Sequence, residues 1–113
     1  MKQKEIWLIN LDPTIGAEIK KTRPCVILND DAVGVLPLKI IATITDHKPK
    51  YDQVPWMVTV EPNAQNNLQK KSVIDVFQVR SVSQQRLVKK IGRINNEQLQ
   101  DIFAAIKIIF GME

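Results

Sequence analysis

Arg23 is the side chain in this 113-residue sequence whose setting most invites phosphate chemistry. It closes a charged stretch that opens at Gly16, where the backbone can bend freely, and passes through Glu18, Lys20 and Lys21. Pro24 follows, and its ring pushes Arg23 toward an extended conformation. The apolar run Cys25-Val-Ile-Leu28 then reads as a buried strand. A guanidinium therefore stands at the start of a strand, behind a basic loop. Its planar fork matches two phosphate oxygens at once. A salt bridge at a strand edge accounts for the same local pattern, and an Arg-Pro pair alone does not separate the two.

Other side chains offer less. His47, beside Asp46 in a loop, is the one imidazole, a general base for a ribonuclease or simply a solvated residue. Cys25, the single cysteine, sits in an apolar run and reads as a buried, unreactive thiol. No His/Cys cluster with metal-ligand spacing occurs, and no glycine-rich phosphate loop, so no metal or cofactor is expected. Tyr51 and Trp56 flank a loop and can stack on a base, although Trp56 reads first as core. The remaining aromatics, Trp7, Phe77, Phe103 and Phe110, fall in expected strands or a helix and read as core. Lys48, Lys50, Lys70, Lys71, Lys89 and Lys90 can follow a nucleic-acid backbone or be plain surface lysines.

The elements that must hold these residues follow from periodicity and turn chemistry. Strands are expected over residues 5–11, 24–29, 38–45, 56–60, 72–79 and 88–94, with loops at 12–22 and 46–55. Ser83 can cap a short helix through Leu87, and Gly92 marks a bulge or a close approach. A final helix starts at Asn95 or Asn96, with Asn95 to Gln98 resembling a capping box and Gly111 as terminator. Leu99, Ile102, Phe103, Ile106, Ile109 and Phe110 make its apolar face. Ile108 falls off that face and hints at a partner subunit. Many short strands and one helix suggest a mainly β fold: a small antiparallel barrel with the helix packed on it.

Composition sets bounds. A length of 113 residues is expected to form a single domain over 1–113. The 44% hydrophobic and 25% charged fractions are those of a globular chain. A net charge of +4 favours polyanionic partners without choosing among them. No apolar run approaches membrane-spanning length, and the first residues lead straight into a strand. No membrane association and a cytoplasmic location are therefore expected.

Five segments taken together add a further reading. Ile6-Trp-Leu-Ile-Asn-Leu-Asp-Pro13, Gly16-Ala-Glu-Ile-Lys-Lys-Thr-Arg-Pro24, Ile40-Ile-Ala-Thr-Ile-Thr45, Ser72-Val-Ile-Asp-Val-Phe-Gln-Val-Arg-Ser81 and Arg86-Leu-Val-Lys-Lys-Ile-Gly-Arg-Ile94 occur in this order. Jointly they resemble the MazF/PemK family of toxin endoribonucleases from bacterial toxin–antitoxin systems, over nearly the whole chain. The resemblance implies an SH3-like barrel and a homodimer. It also implies metal-independent cleavage of single-stranded RNA to a 2′,3′-cyclic phosphate, and inhibition by a small acidic antitoxin of the MazE/PemI kind. By the same resemblance Arg23, Thr45 and Glu18 are the catalytic residues. Lys20, Lys21, Thr22, Tyr51 and Trp56 are expected to bind RNA. Family members often read Glu-Gln-Gly-Lys-Thr-Arg-Pro where this chain has Glu18-Ile-Lys-Lys-Thr-Arg-Pro24, a departure that bears on base preference. The rival reading is a non-catalytic toxin on the same barrel that poisons DNA gyrase by protein contact.

Overall fold

The computed structural model describes residues 1–11, 22–34 and 37–112. Its strands are β1 (Glu5–Asn10), β2 (Thr22–Ile27), β3 (Leu38–Asp46), β4 (Met57–Val60), β5 (Ser72–Ser83) and β6 (Leu87–Arg93). All pairs are antiparallel, and the order across the six-stranded sheet is β4-β5-β3-β2-β1-β6. β4 and β6 are the two edges. The 61–71 connection spans toward β6: Gln65 O accepts from Arg93 N at 3.0 Å, and Asn67 Nδ2 donates to Ile91 O at 2.9 Å. The sheet is thus barrel-like without hydrogen-bonded closure.

β5 runs past the expected end at residue 79, to Ser83. Its first part pairs with both β4 and the end of β3, its last part with the start of β3. The register shifts between Ile41 and Thr43, so the intervening residues of β5 bulge. Phe77 lies in that bulge and is 62% exposed, against the expectation that it is core. A strand side chain is placed by its partners, and the partners here come from β3, more than thirty residues away in sequence.

Alternating side chains build apolar clusters on both faces of the sheet. Ile6, Val26, Ala42, Ile44 and Ile74 pack with the helix residues Leu99, Ile102 and Ala105. Ile9, Cys25, Ile27, Ile41, Val82 and Leu87 form the second cluster, with Trp7 against it. The helix α1 (Asn96–Phe110) begins with the expected capping box. Asn95 Oδ1 accepts from Gln98 N at 2.8 Å, and Gln98 Oε1 accepts from Asn95 N at 3.0 Å. Gly111, at φ 68°, ends it in the left-handed region. The buried face differs from the expected one at its end: Ala105 is buried, whereas Phe110 is 70% exposed. α1 packs on β4 and β5 with Ile102, Ala105 and Ile109 toward the core, which leaves Phe110 at the margin of the buried face. Ile108 is 53% exposed, as its position off the face suggests.

Two short 3-10 turns complete the chain. Gln84–Arg86 is capped by Ser83, whose hydroxyl accepts from Gln85 N, as expected. Pro49–Gln53 shapes a loop that the sequence marks only as exposed. Gly92 meets both expectations placed on it. Ile6 pairs with Gly92 and Trp7 with Lys90, so Ile91 is an extra, bulged residue. A Cβ at Gly92 would stand 2.3 Å from Gln65 O and 2.7 Å from Asn66 O.

Candidate active site

Arg23 and Thr45 are brought together by strand register. Cys25 pairs with Thr43 across β2 and β3, which carries Arg23 opposite Thr45 one step further on. The side chains of paired residues share a face. Arg23 Nη1 donates to Thr45 Oγ1 at 3.2 Å, and both residues are half-buried. Ile9, fully buried, pairs with Arg23 from β1, and Val73, also fully buried, pairs with Thr45 from β5. The polar pair is therefore set between two anchored strands, which fixes its geometry better than a loop would. A hydroxyl that accepts one hydrogen bond can still donate its own proton, so this pair presents donors of two kinds toward an anion.

The next row on the same face is Cys25, Thr43 and Asp75. Cys25 is fully buried, and burial pushes its thiol up to about 12, so it holds its proton and behaves as an apolar residue, as expected. The buried Thr43 Oγ1 has no hydrogen-bond partner among the described residues. Asp75 is buried as well. Its carboxylate accepts from Phe77 N at 3.2 Å and from Gln78 Nε2 at 2.8 Å. It therefore holds the start of the β5 bulge beside the Arg23–Thr45 row. Asp75 is not among the residues expected at the site; its signal in the sequence is a lone acid inside the apolar run Val73-Ile-Asp-Val76, since buried carboxylates are rare unless paired.

Other expected site residues are placed as follows. Glu18, Lys20 and Lys21 lie outside the described residues. Thr22 is exposed at the start of β2 and pairs with Asn10. Tyr51 is half-buried in the 3-10 turn, with Lys50 Nζ 5.5 Å from its ring centre. Trp56 packs at the margin of the main core, and its ring lies 5.5 Å from that of Phe77. His47 Nε2 lies 2.7 Å from Asp52 Oδ1, across the loop that it enters. That hydrogen bond is the main reason the Asp52 carboxyl sits below the usual carboxylate range. His47 thus braces the 46–53 loop. No group of three or more His, Cys, Asp or Glu side chains gathers among the described residues as a metal ion would require.

Comparisons with known proteins bear on the family and the fold. The family model described as PemK-like, MazF-like toxin of type II toxin–antitoxin system matches residues 2–110. Endoribonuclease MazF of Staphylococcus saprophyticus subsp. saprophyticus is 31% identical over 113 residues, covering 99% of this chain and 92% of that protein. The crystal structure of MazF (Form-I) from Deinococcus radiodurans shares the fold, with a TM-score of 0.80 at 21% identity, over 99% of this chain and 97% of that one. A MazE–MazF crystal structure (Form-II) from the same organism aligns with a TM-score of 0.75 at 17% identity, over 100% and 97% of the two chains. With the family model spanning almost the whole chain and a relative above 30% identity along its length, this chain belongs to the PemK-like, MazF-like toxins of type II toxin–antitoxin systems.

Proposed function

We propose that this chain is an endoribonuclease toxin that cleaves single-stranded RNA at Arg23 and Thr45, using the substrate's own 2′-oxygen as nucleophile. The 3.2 Å contact between these two side chains carries the reading. In the reaction the O2′–P bond forms and the P–O5′ bond breaks, giving a 2′,3′-cyclic phosphate and a 5′-hydroxyl. The protein supplies in-line geometry and stabilises charge on the phosphorane oxygens. Arg23 offers parallel N–H donors to two of those oxygens, and the Thr45 hydroxyl donates to one. The 2′-proton passes to Glu18 or to water, and the departing 5′-oxygen takes up a proton from water to become the 5′-hydroxyl. Lys20, Lys21 and Thr22 would line the path of the RNA backbone, with Tyr51 and Trp56 stacking on bases.

The same reading gives the partners. A flexible acidic antitoxin would compete with RNA for the basic loop; that such a toxin has a protein partner is supported by the MazE–MazF crystal structure of the related fold. The toxin would act as a homodimer in the cytoplasm, with Ile108 part of the spare apolar surface. Among the described residues no helix is long and apolar enough to cross a membrane. The gyrase-poison reading is less well supported, because a protein-contact toxin has no need of the Arg23–Thr45 pair and the aligned curated relative is named an endoribonuclease.

Purified protein incubated with RNA in EDTA tests the reading. Wild type cleaves. Arg23→Ala, with an unchanged circular dichroism spectrum, loses at least about 10²-fold in rate. Thr45→Val keeps the β-branched shape, removes the hydroxyl and is also impaired. Near-normal cleavage by folded Arg23→Ala would remove the site.

A further inference from the structure

Asp75 is a buried carboxylate on the face that carries Arg23 and Thr45, and the cleavage chemistry gives it no task. It stands where β5 changes partners. Ser72 to Asp75 pair with Asp46 to Thr43, and Arg80 to Ser83 pair with Ile41 to Leu38. Between these blocks Val76 to Val79 lie opposite Ala42 alone. The main-chain groups at the break are taken up close by. Val76 N donates to Trp56 O, just ahead of β4, at 3.3 Å. Backbone groups alternate in direction along a strand, so the next one, Phe77 N, is turned toward β3, which it would bond if the ladder ran on. It donates instead to Asp75 Oδ1 at 3.2 Å. A side-chain oxygen bonded to the N–H two residues on is the local turn that Asp favours, because it competes with the ladder. Asp75 Oδ2 accepts from Gln78 Nε2 at 2.8 Å, so both carboxylate oxygens hold the opening residues of the bulge.

We infer that Asp75 is a positioning residue for cleavage: it fixes where the β3–β5 ladder breaks and, through that register, where Thr45 stands beside Arg23. The inference rests on the endoribonuclease reading and deepens it. Thr45 pairs with Val73 in the block of the ladder that Asp75 closes, so the clamp lies two residues along β5 from Thr45's partner. Burial alone does not set this register. A one-residue slip is opposed because it turns the apolar side chains of β5 to the wrong face. A two-residue slip keeps the alternation and only puts Val76 where Ile74 now pairs with Ile44. In the slipped register Phe77 N would join the ladder opposite Thr43, and its bond to Asp75 would be lost. The same slip would carry the Asp75 carboxylate opposite Thr45, where it would repel the phosphate of the substrate. Asp at this position therefore selects one of two registers that the apolar pattern tolerates. Thr45 is set by that choice, and a misplacement of about an ångström in a reacting group costs about 10²-fold in rate.

The test compares Asp75→Leu and Asp75→Asn in the full chain, with cleavage of a fluorogenic RNA followed over a range of substrate concentrations in EDTA. Leucine fills the volume without an acceptor. Asparagine keeps an oxygen for Phe77 N, and its amide can donate to Gln78 Oε1 once the Gln78 amide turns over. Asp75→Leu should lower kcat by about 10²-fold with KM little changed, and Asp75→Asn should keep most of the wild-type kcat. Because the effect runs through Thr45, Asp75→Leu added to Thr45→Val should cost little more than Thr45→Val alone. The register itself is read by nuclear magnetic resonance. The Hα–Hα contact between Ile44 and Ile74 should be present in wild type and Asp75→Asn, and weakened or moved to Val76 in Asp75→Leu. If Asp75→Leu does not fold, Asp75→Glu takes its place: it keeps the charge, moves the acceptor by one methylene and should show the same loss of kcat. A folded Asp75→Leu or Asp75→Glu protein with wild-type kcat, even one of lower stability, would overturn the inference and leave the nuclease standing. Multiplying losses in the double variant would overturn it as well, since Asp75 would then act apart from Thr45. A wild-type protein that cleaves no RNA would instead overturn the nuclease, and the Ile44–Ile74 contact would still report whether Asp75 holds the register.

Discussion

Replacing Gly92 by alanine tests the packing logic of the fold without reference to function. The new Cβ would lie 2.3 Å from Gln65 O, 2.7 Å from Asn66 O and 2.8 Å from Asn66 C, where ordinary van der Waals contact begins near 3.4 Å. The offending atoms are backbone, and their segment is tied down. Asn66 is fully buried; its Oδ1 accepts from Asn63 N and Leu68 N, each at 3.0 Å, and its Nδ2 donates to Glu61 O at 2.9 Å. Relief therefore requires moving the connection away from β6 by about an ångström, which breaks the Arg93 N to Gln65 O hydrogen bond. Overpacking costs about 1–3 kcal/mol, and the lost hydrogen bond about 1 kcal/mol more. The reduced entropy of the unfolded chain offsets about 0.4–1 kcal/mol. A net loss of about 1–3.5 kcal/mol should lower the melting temperature by roughly 4–17 °C for a chain of this size. Urea unfolding at fixed protein concentration reads the loss as a lower midpoint at unchanged slope. A Gly92→Ala protein within about 0.5 kcal/mol of wild type would mean that the 61–68 connection yields easily, and the account of the barrel seam would be wrong.

Three further outcomes follow from the same structure. Asn95→Ala removes the N-cap acceptor of Gln98 N and keeps only the bond from the main-chain N of residue 95 to Gln98 Oε1, so stability to urea should fall by about 1 kcal/mol; no change would mean α1 is held by packing alone. Burial acts to raise the Glu5 pKa, but hydrogen bonds from Lys2 N, Trp7 Nε1 and Lys90, with the N-terminal charge, outweigh it and bring the carboxyl down to about 2. Its contribution is thus fully present above about 4.5 and fades as pH falls toward 2; the acid limb of a stability profile should be shallower in Glu5→Gln, and an identical limb would refute the assignment. Cys25 should react with a thiol reagent only on the timescale of unfolding, so rapid labelling of native protein would contradict its burial.

The order of strands and the final helix could be read from residues alone because they rest on local rules. The β-branched run 38–45 and the capping residues Asn95, Gln98 and Gly111 each state their conformation within a few positions. The type of Gly92 likewise pointed to a close approach, although not to what approaches. Arg23 and Thr45 were singled out by resemblance to a family, but their 3.2 Å contact depends on the register of β2 against β3, which no local pattern specifies. The misplaced aromatics have the same origin. Phe77 was expected inside because its strand is apolar, and it is outside because the bulge of β5 is set by pairing with both ends of β3. Phe110 fits the helical stripe, and it is exposed because packing turns the helix to face the core with Ile102, Ala105 and Ile109 instead. The burial of Asp75 also depends on distant segments, since it pairs with Thr43 of β3 and Met57 of β4. Periodicity says which residues can share a face; which faces meet, and how far each extends, is set by long-range pairing and packing.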